Sequence, residues 1–135
     1  MENDPAVPRQ REPPALRLGY VILHVLDVPA AVAFYEAAFG LRCRFVHPSG
    51  YAEIETGATA LAFASHALAE ANGLPIDPGS PPSGAEIALV TDGVDAAFRR
   101  AVDAGATAAK PWGQVVGYVR DLNAFLVELC TPVSG

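Results

Sequence analysis

Cysteine is nearly absent: Cys43 and Cys130 are the only two in 135 residues, each inside an apolar run. A disulfide framework needs more than that, and a free cysteine packs as a small hydrophobe, so both read as reduced core thiols. Basic residues are scarce as well. Nine Lys and Arg against fifteen Asp and Glu leave a net charge of −6. The basic residues are scattered, with Arg9, Arg11 and Arg17 the nearest approach to a cluster. Binding to nucleic acid or to an anionic membrane needs clustered positive charge, so neither is expected as a partner. No apolar run approaches the roughly 20 residues of a bilayer-spanning helix. The N-terminus is polar and proline-rich rather than basic and then apolar, so no secretory signal is read and a cytoplasmic location is expected. Also missing are a glycine-rich phosphate loop, a nucleophile elbow, a paired CxxC motif and a Ser–His–Asp order.

What is present is a chain that is 51% apolar and long enough for one domain with a core. Residues 1–15 hold four prolines and read as a disordered tail. Beyond it, Leu18–Leu26 is strand-like, and Asp27 is a fair N-cap with Pro29 in the following turn. Val28, Val32, Tyr35 and Phe39 recur at helical spacing, and Gly40 ends the helix. Three strand candidates follow, Leu41–Val46, Tyr51–Glu55 and Thr59–Ser65, divided by Pro48-Ser49-Gly50 and Thr56-Gly57. Residues 67–83 are rich in proline, glycine and serine and read as a linker, with room for one helical turn over Ala67–Ala71. The first pattern then returns. Glu86–Thr91 is strand-like, Val94, Phe98, Ala101 and Val102 share a helix face, and Gly105 closes the helix. Ala106–Lys110, Val115–Arg120 and Phe125–Thr131 are the last strand candidates.

A shift of 66 positions lays Tyr20 on Glu86, Val28 on Val94, Ala30-Ala31 on Ala96-Ala97 and Ala62 on Glu128. Strand, helix, strand, strand, strand thus occurs twice in one register. A sheet with one helix leaves a face uncovered, and two such modules can curve into an open half-barrel around a cleft. The predicted class is α+β, with two tandem βαβββ modules at residues 16–66 and 84–132 of one domain spanning 16–132.

With these residues laid out, the chain resembles the vicinal oxygen chelate superfamily, the group of glyoxalases, bleomycin-resistance proteins and extradiol dioxygenases. The likeness lies in Gly19-Tyr20-Val21-Ile22-Leu23-His24-Val25 leading to Asp27-Val28, in Ala33-Phe34-Tyr35, and in Ala38-Phe39-Gly40-Leu41. In the second half it lies in Glu86-Ile87-Ala88-Leu89-Val90, Val94-Asp95-Ala96-Ala97, Ala104-Gly105-Ala106, Tyr118-Val119-Arg120-Asp121 and Phe125-Leu126-Val127-Glu128-Leu129. The resemblance implies a small-molecule cleft and a homodimer; it does not imply one reaction. Metal-dependent members carry a ligand, typically His or Glu, on the first and last strand of each module. Carried over, those positions are Tyr20, Ala62, Glu86 and Glu128. Only Glu128 keeps the usual type, so no cofactor is expected, with a divalent metal on Glu86 and Glu128 as the alternative.

Glu86 and Glu128 are the candidate catalytic residues. Each is at the strand phase that faces the cleft, where lost hydration and a neighbouring carboxylate raise a carboxyl pKa and suit acid–base work. The alternative is that each is tied to a backbone or Tyr donor, or that Glu86 stands in solvent at a strand start. Tyr20, His24, Trp112, Gln114 and Tyr118 are the candidate ligand-binding residues. His24 shares a strand face with Tyr20, and Trp112 with Gln114 offers stacking and hydrogen bonding beside a strand. Phe45, Tyr51, Phe63 and Tyr118 are candidates for an aromatic wall. In Asp121-Leu122-Asn123-Ala124, Asn123 is expected to take the left-handed conformation usually given to Gly. The functions that fit are metal-independent binding of a small organic molecule, a lyase or isomerase of glyoxalase type, or a ligand-free structural module.

Overall fold

The computed structural model describes residues 13–110 and 116–132. The elements are β1 (Tyr20–Val25), α1 (Val28–Phe39), β2 (Arg42–His47), β3 (Tyr51–Glu55), β4 (Ala60–Ser65), the short α2 (His66–Ala71), β5 (Ile87–Val90), α3 (Val94–Asp103), β6 (Thr107–Lys110), β7 (Val116–Arg120) and β8 (Leu126–Cys130). They form two four-stranded mixed sheets, ordered β1-β4-β3-β2 and β5-β8-β7-β6. In each, the first strand runs parallel to the last and the other pairs are antiparallel. Every major element of the second half starts within one residue of its first-half counterpart shifted by 66. The architecture is α+β, and the sheets stay open.

Local chemistry fixes the helices. Asp27 Oδ1 accepts from the Ala30 amide at 3.0 Å, and Gly40 ends α1 at φ 67. Along α1, Val28, Ala31, Val32, Phe34, Tyr35 and Ala38 are buried. They pack on the β1–β3–β4 residues Leu23, Val25, Ile54, Leu61 and Phe63. Phe63 is fully buried there, its ring 5.0 Å from that of Tyr35. Its place on the helix-covered face takes it out of the aromatic wall expected for the cleft. Burial of each such ring contributes about 2–3 kcal/mol. The second helix, α3, has no side-chain cap, and its packed stripe runs through Val94, Ala97, Phe98 and Ala101. Val102, expected on that stripe, is 38% exposed, since it lies about 100° beyond Ala101 around the helix. Cys43 and Cys130 are free and half-buried rather than fully in the core.

The two modules meet through α1 against α3 and through the turn between β7 and β8. Tyr35 Oη donates to Asp121 Oδ2 at 2.6 Å, a buried bond between modules. Asp121 Oδ1 accepts from the amides of Asn123 and Phe125 at 2.8 and 2.9 Å. The Leu26 amide donates to Asn123 Oδ1 at 3.2 Å, and Arg100 Nε donates to the Ala37 carbonyl at 3.0 Å. The left-handed residue of this turn is Ala124, at φ 67, and not Asn123. Asn123 is held between Asp121 and Leu26, so the reversal falls one residue later.

Candidate functional site

A β-strand alternates its side chains, so each sheet has one face against its helix and one free of it. On the first sheet the free face carries Tyr20, Ile22 and His24 from β1 and Ala60, Ala62 and Ala64 from β4, as the pairing of β1 with β4 requires. Tyr51 and Glu53 join it from β3, with Phe45 opposite Glu53 on β2. The larger side chains at its edges are open to solvent, Tyr20 being 55% and Phe45 45% exposed, while the three alanines of β4 are buried.

Glu53, in contrast, is buried on this face. Its Oε1 accepts from Arg44 Nη1 at 3.0 Å and its Oε2 from Tyr51 Oη at 2.7 Å. Arg44 Nε also donates to Glu55 Oε1 at 2.9 Å. Burial, then the bond to Glu53, pushes the Tyr51 phenol up to about 12. The Arg44 hydrogen bond holds Glu55 below the ordinary carboxylate range. Sequence reasoning missed Arg44 and Glu53. The available signal was the period of two through Tyr51, Glu53 and Glu55, which puts all three on one face; the partner Arg44 stands at the β2 bulge, which no pattern marks.

On the second sheet the free face carries Ala88 and Val90 from β5, Leu126, Glu128 and Cys130 from β8, and Val116, Tyr118 and Arg120 from β7. Glu86 lies one residue before β5, in phase with Ala88, and is exposed at the strand start rather than inside the strand. Tyr118 stands directly opposite Glu128, Cys130 lies two residues along the same strand, and Glu86 is in phase with Ala88, the β5 residue opposite Glu128. A hydrogen bond to Glu128, helped by desolvation, raises the Glu86 carboxyl above its ordinary range. Desolvation, then the charges of Glu128 and Glu86, raises Tyr118. Desolvation and a hydrogen bond to Glu128 raise the Cys130 thiol. A carboxyl held above its ordinary range beside a second carboxylate is suited to proton transfer.

The structure therefore brings Glu86, Glu128 and Tyr118 together and places Tyr20 and His24 on the other sheet. A groove of about 980 Å³ between the modules is lined by Glu86 with Leu18, Phe39, Leu41, Ile87 and Arg100. A second, of about 660 Å³, is lined by His24, His66, Asp77, Leu122 and Phe125. Neither includes Tyr20 or Glu128. Trp112 and Gln114 lie outside the described residues. As a donor set for a metal, the four carried-over positions do not fit. Ala62 is fully buried and has no donor atom, and Tyr20 offers a phenol where a His or carboxylate would be needed. Among the described residues no group of three or more His, Cys, Asp or Glu is placed to hold a metal ion. No helix among them is long and apolar enough to cross a membrane.

A family model described as the Glyoxalase/Bleomycin resistance protein/Dioxygenase superfamily matches residues 17–129. No curated protein matches the chain. Among solved structures, it is similar to a glyoxalase-related enzyme from Fulvimarina pelagi, with a TM-score of 0.73, 22% identity, and coverage of 90% of this chain and 94% of that one. It is similar to a glyoxalase/bleomycin resistance protein/dioxygenase family enzyme from Burkholderia phytofirmans PsJN, with a TM-score of 0.71, 21% identity, and coverage of 87% and 100%. TioX from Micromonospora sp. ML1 aligns with a TM-score of 0.61 and 24% identity, over 87% of this chain and 99% of that one. At these identities the likeness is one of fold.

Proposed function

The chain belongs to the Glyoxalase/Bleomycin resistance protein/Dioxygenase superfamily, and on that premise we propose that it binds a small organic molecule at the free faces of its two sheets without a resident metal. The observation that carries this reading is Ala62. It occupies the last-strand position of the first module, is fully buried, and has nothing with which to coordinate. Its methyl is covered by its neighbours, among them Ile22 and Glu53 in the paired strands. The open Tyr20, Ile22 and Phe45 side chains on the same face suit an organic ligand better than a hydrated ion. The test is metal analysis after incubation with Zn, Ni, Mn and Fe(II) followed by dialysis. Retention well below one ion per chain is expected, with no change in Glu128→Ala. Near-stoichiometric metal that Glu128→Ala loses would overturn the metal-free reading.

A second reading, a lyase or isomerase of the glyoxalase type, is favoured by one observation: Glu86 is in phase with Ala88, which stands opposite Glu128, and a hydrogen bond to Glu128 raises the Glu86 carboxyl. In it Glu128 takes a proton from carbon beside a carbonyl and Glu86 returns one. Deuterium exchange at such a carbon, followed by NMR and lost in Glu128→Gln, is the result that supports it.

We also propose that the molecule is a homodimer. The free faces leave Tyr20, Ile22, Leu26, Phe45 and Val90 exposed by 45–77%. Large apolar side chains left exposed on uncovered sheet faces suit an association surface.

A further inference from the structure

Glu53 and Asp121 are the two charged side chains buried among the described residues. Asp121 joins the modules, whereas Glu53 lies on a sheet face that no helix covers. A buried carboxylate is tolerated only when hydrogen bonds replace its water. For Glu53 those bonds come from Arg44 at 3.0 Å and Tyr51 at 2.7 Å, one to each oxygen. Both partners are thereby polarised in what they can offer a ligand. The Tyr51 proton is spent on Glu53, so its oxygen presents lone pairs and can only accept. Arg44 spends Nε on Glu55 and one N–H on Glu53, and of its five N–H groups the rest remain donors. Two carboxylates hold its plane, and its side chain is still 40% exposed.

Resting on the reading that these faces bind a small organic molecule, we propose that Tyr51, Glu53 and Arg44 select a ligand whose edge offers a donor and an acceptor side by side, as a carboxamide or lactam does. The amide N–H meets the Tyr51 oxygen and the amide C=O meets Arg44. A carboxylate satisfies Arg44 but meets the Tyr51 lone pairs and a cluster with two acidic groups and one basic one. An amine satisfies Tyr51 but faces the guanidinium. The Phe45 ring, 6.1 Å from that of Tyr51, with Tyr20 and Ile22 across β4, provides the apolar surroundings for the rest of such a molecule. Glu53 touches no ligand in this scheme; it is a positioning residue that aims the other two.

The test compares three matched probes, 2-naphthamide, 2-acetylnaphthalene and 2-naphthoate, titrated into the full chain. Amide NMR shifts of Tyr51, Ala62 and Ala64 locate binding and give affinities. The carboxamide is expected to bind roughly three- to tenfold tighter than the ketone, the worth of one hydrogen bond. Tyr51→Phe is expected to erase that preference and leave ketone affinity in place. Arg44→Gln, whose side-chain amide can still donate to Glu53, is expected to weaken carboxamide and ketone together, with circular dichroism checking that the fold is kept. Equal binding of carboxamide and ketone, tightest binding of naphthoate, or a preference that survives Tyr51→Phe would overturn the proposal while leaving small-molecule binding standing. No shift at these amides with any probe would overturn both.

Discussion

At the scale of single residues, Ala124 is the plainest case of local cost. It holds φ 67, where a Cβ is strained and glycine is not. Ala124→Gly is expected to raise stability by about 1 kcal/mol, read as an upward shift in thermal midpoint with the spectrum unchanged. Glu86 supplies a second residue-scale prediction. Its carboxyl is raised chiefly by the hydrogen bond to Glu128. A carboxyl whose folded pKa lies above the unfolded value favours the fold most below that unfolded value, and the advantage is lost as pH rises through the folded one. Side-chain carbon NMR is expected to show Glu86 titrating above about 4.3, the ordinary Glu value. In Glu128→Gln it should fall back toward that figure. An unmoved midpoint in the variant would separate the two carboxyls. How little of such detail a sequence carries is clear here: Glu86 and Glu128 were legible as carboxylates at one strand phase, but that Tyr118 stands opposite Glu128 depends on cross-strand register.

At the scale of elements, the strand and helix order could be read because apolar periodicity survives in both halves and Asp27 and Gly40 punctuate α1. The features that stayed hidden are those made by pairing. The β2 bulge between Cys43 and Phe45 puts Arg44 beside both Glu53 and Glu55, and a one-dimensional pattern has no mark for it. Phe63 and Ala62 adjoin in sequence but face opposite sides of β4, which separates a core ring from the free face. The contact between elements with the largest expected effect is Tyr35 with Asp121. The Tyr35 phenol is held far above its ordinary value, by burial first and then by the charge and hydrogen bond of Asp121. Burial likewise raises Asp121, outweighing the three hydrogen bonds that oppose it. For Tyr35 the folded pKa exceeds the unfolded one, so its share of stability is intact below about pH 10 and lost as pH rises beyond it. Tyr35→Phe is expected to cost about 1–3 kcal/mol near neutrality, because it leaves a buried carboxylate short of one donor. The variant is also expected to show a shallower loss of stability above pH 10 in denaturant titrations. An equally steep alkaline loss would place the responsible group elsewhere.

At the scale of the whole molecule, the exposed apolar side chains of the free faces argue for a second copy. Light scattering at micromolar concentration is expected to give the mass of two chains. Charge placed at the centre of the face, as Ile22→Lys, is expected to shift that toward one chain while circular dichroism stays unchanged. A single-chain mass for the unaltered protein would show that the open sheets are stable bare. The predicted two-module plan holds at this scale because the 66-residue register is a property of the entire chain, whereas which faces meet across copies is not encoded in any repeat.

The bond between Tyr35 and Asp121 also bears on how the chain can be divided. A repeat invites the thought that either half is a free-standing unit, and the linker looks like the place to cut. Yet the first half keeps a buried phenol whose acceptor belongs to the second, and the second keeps a turn whose shape depends on a carboxylate that the first half helps to satisfy. Symmetry of form here goes with asymmetry of dependence. The halves are thus tied twice, once by the covalent connection through residues 72–83 and once by a buried hydrogen bond that spans 86 positions of sequence.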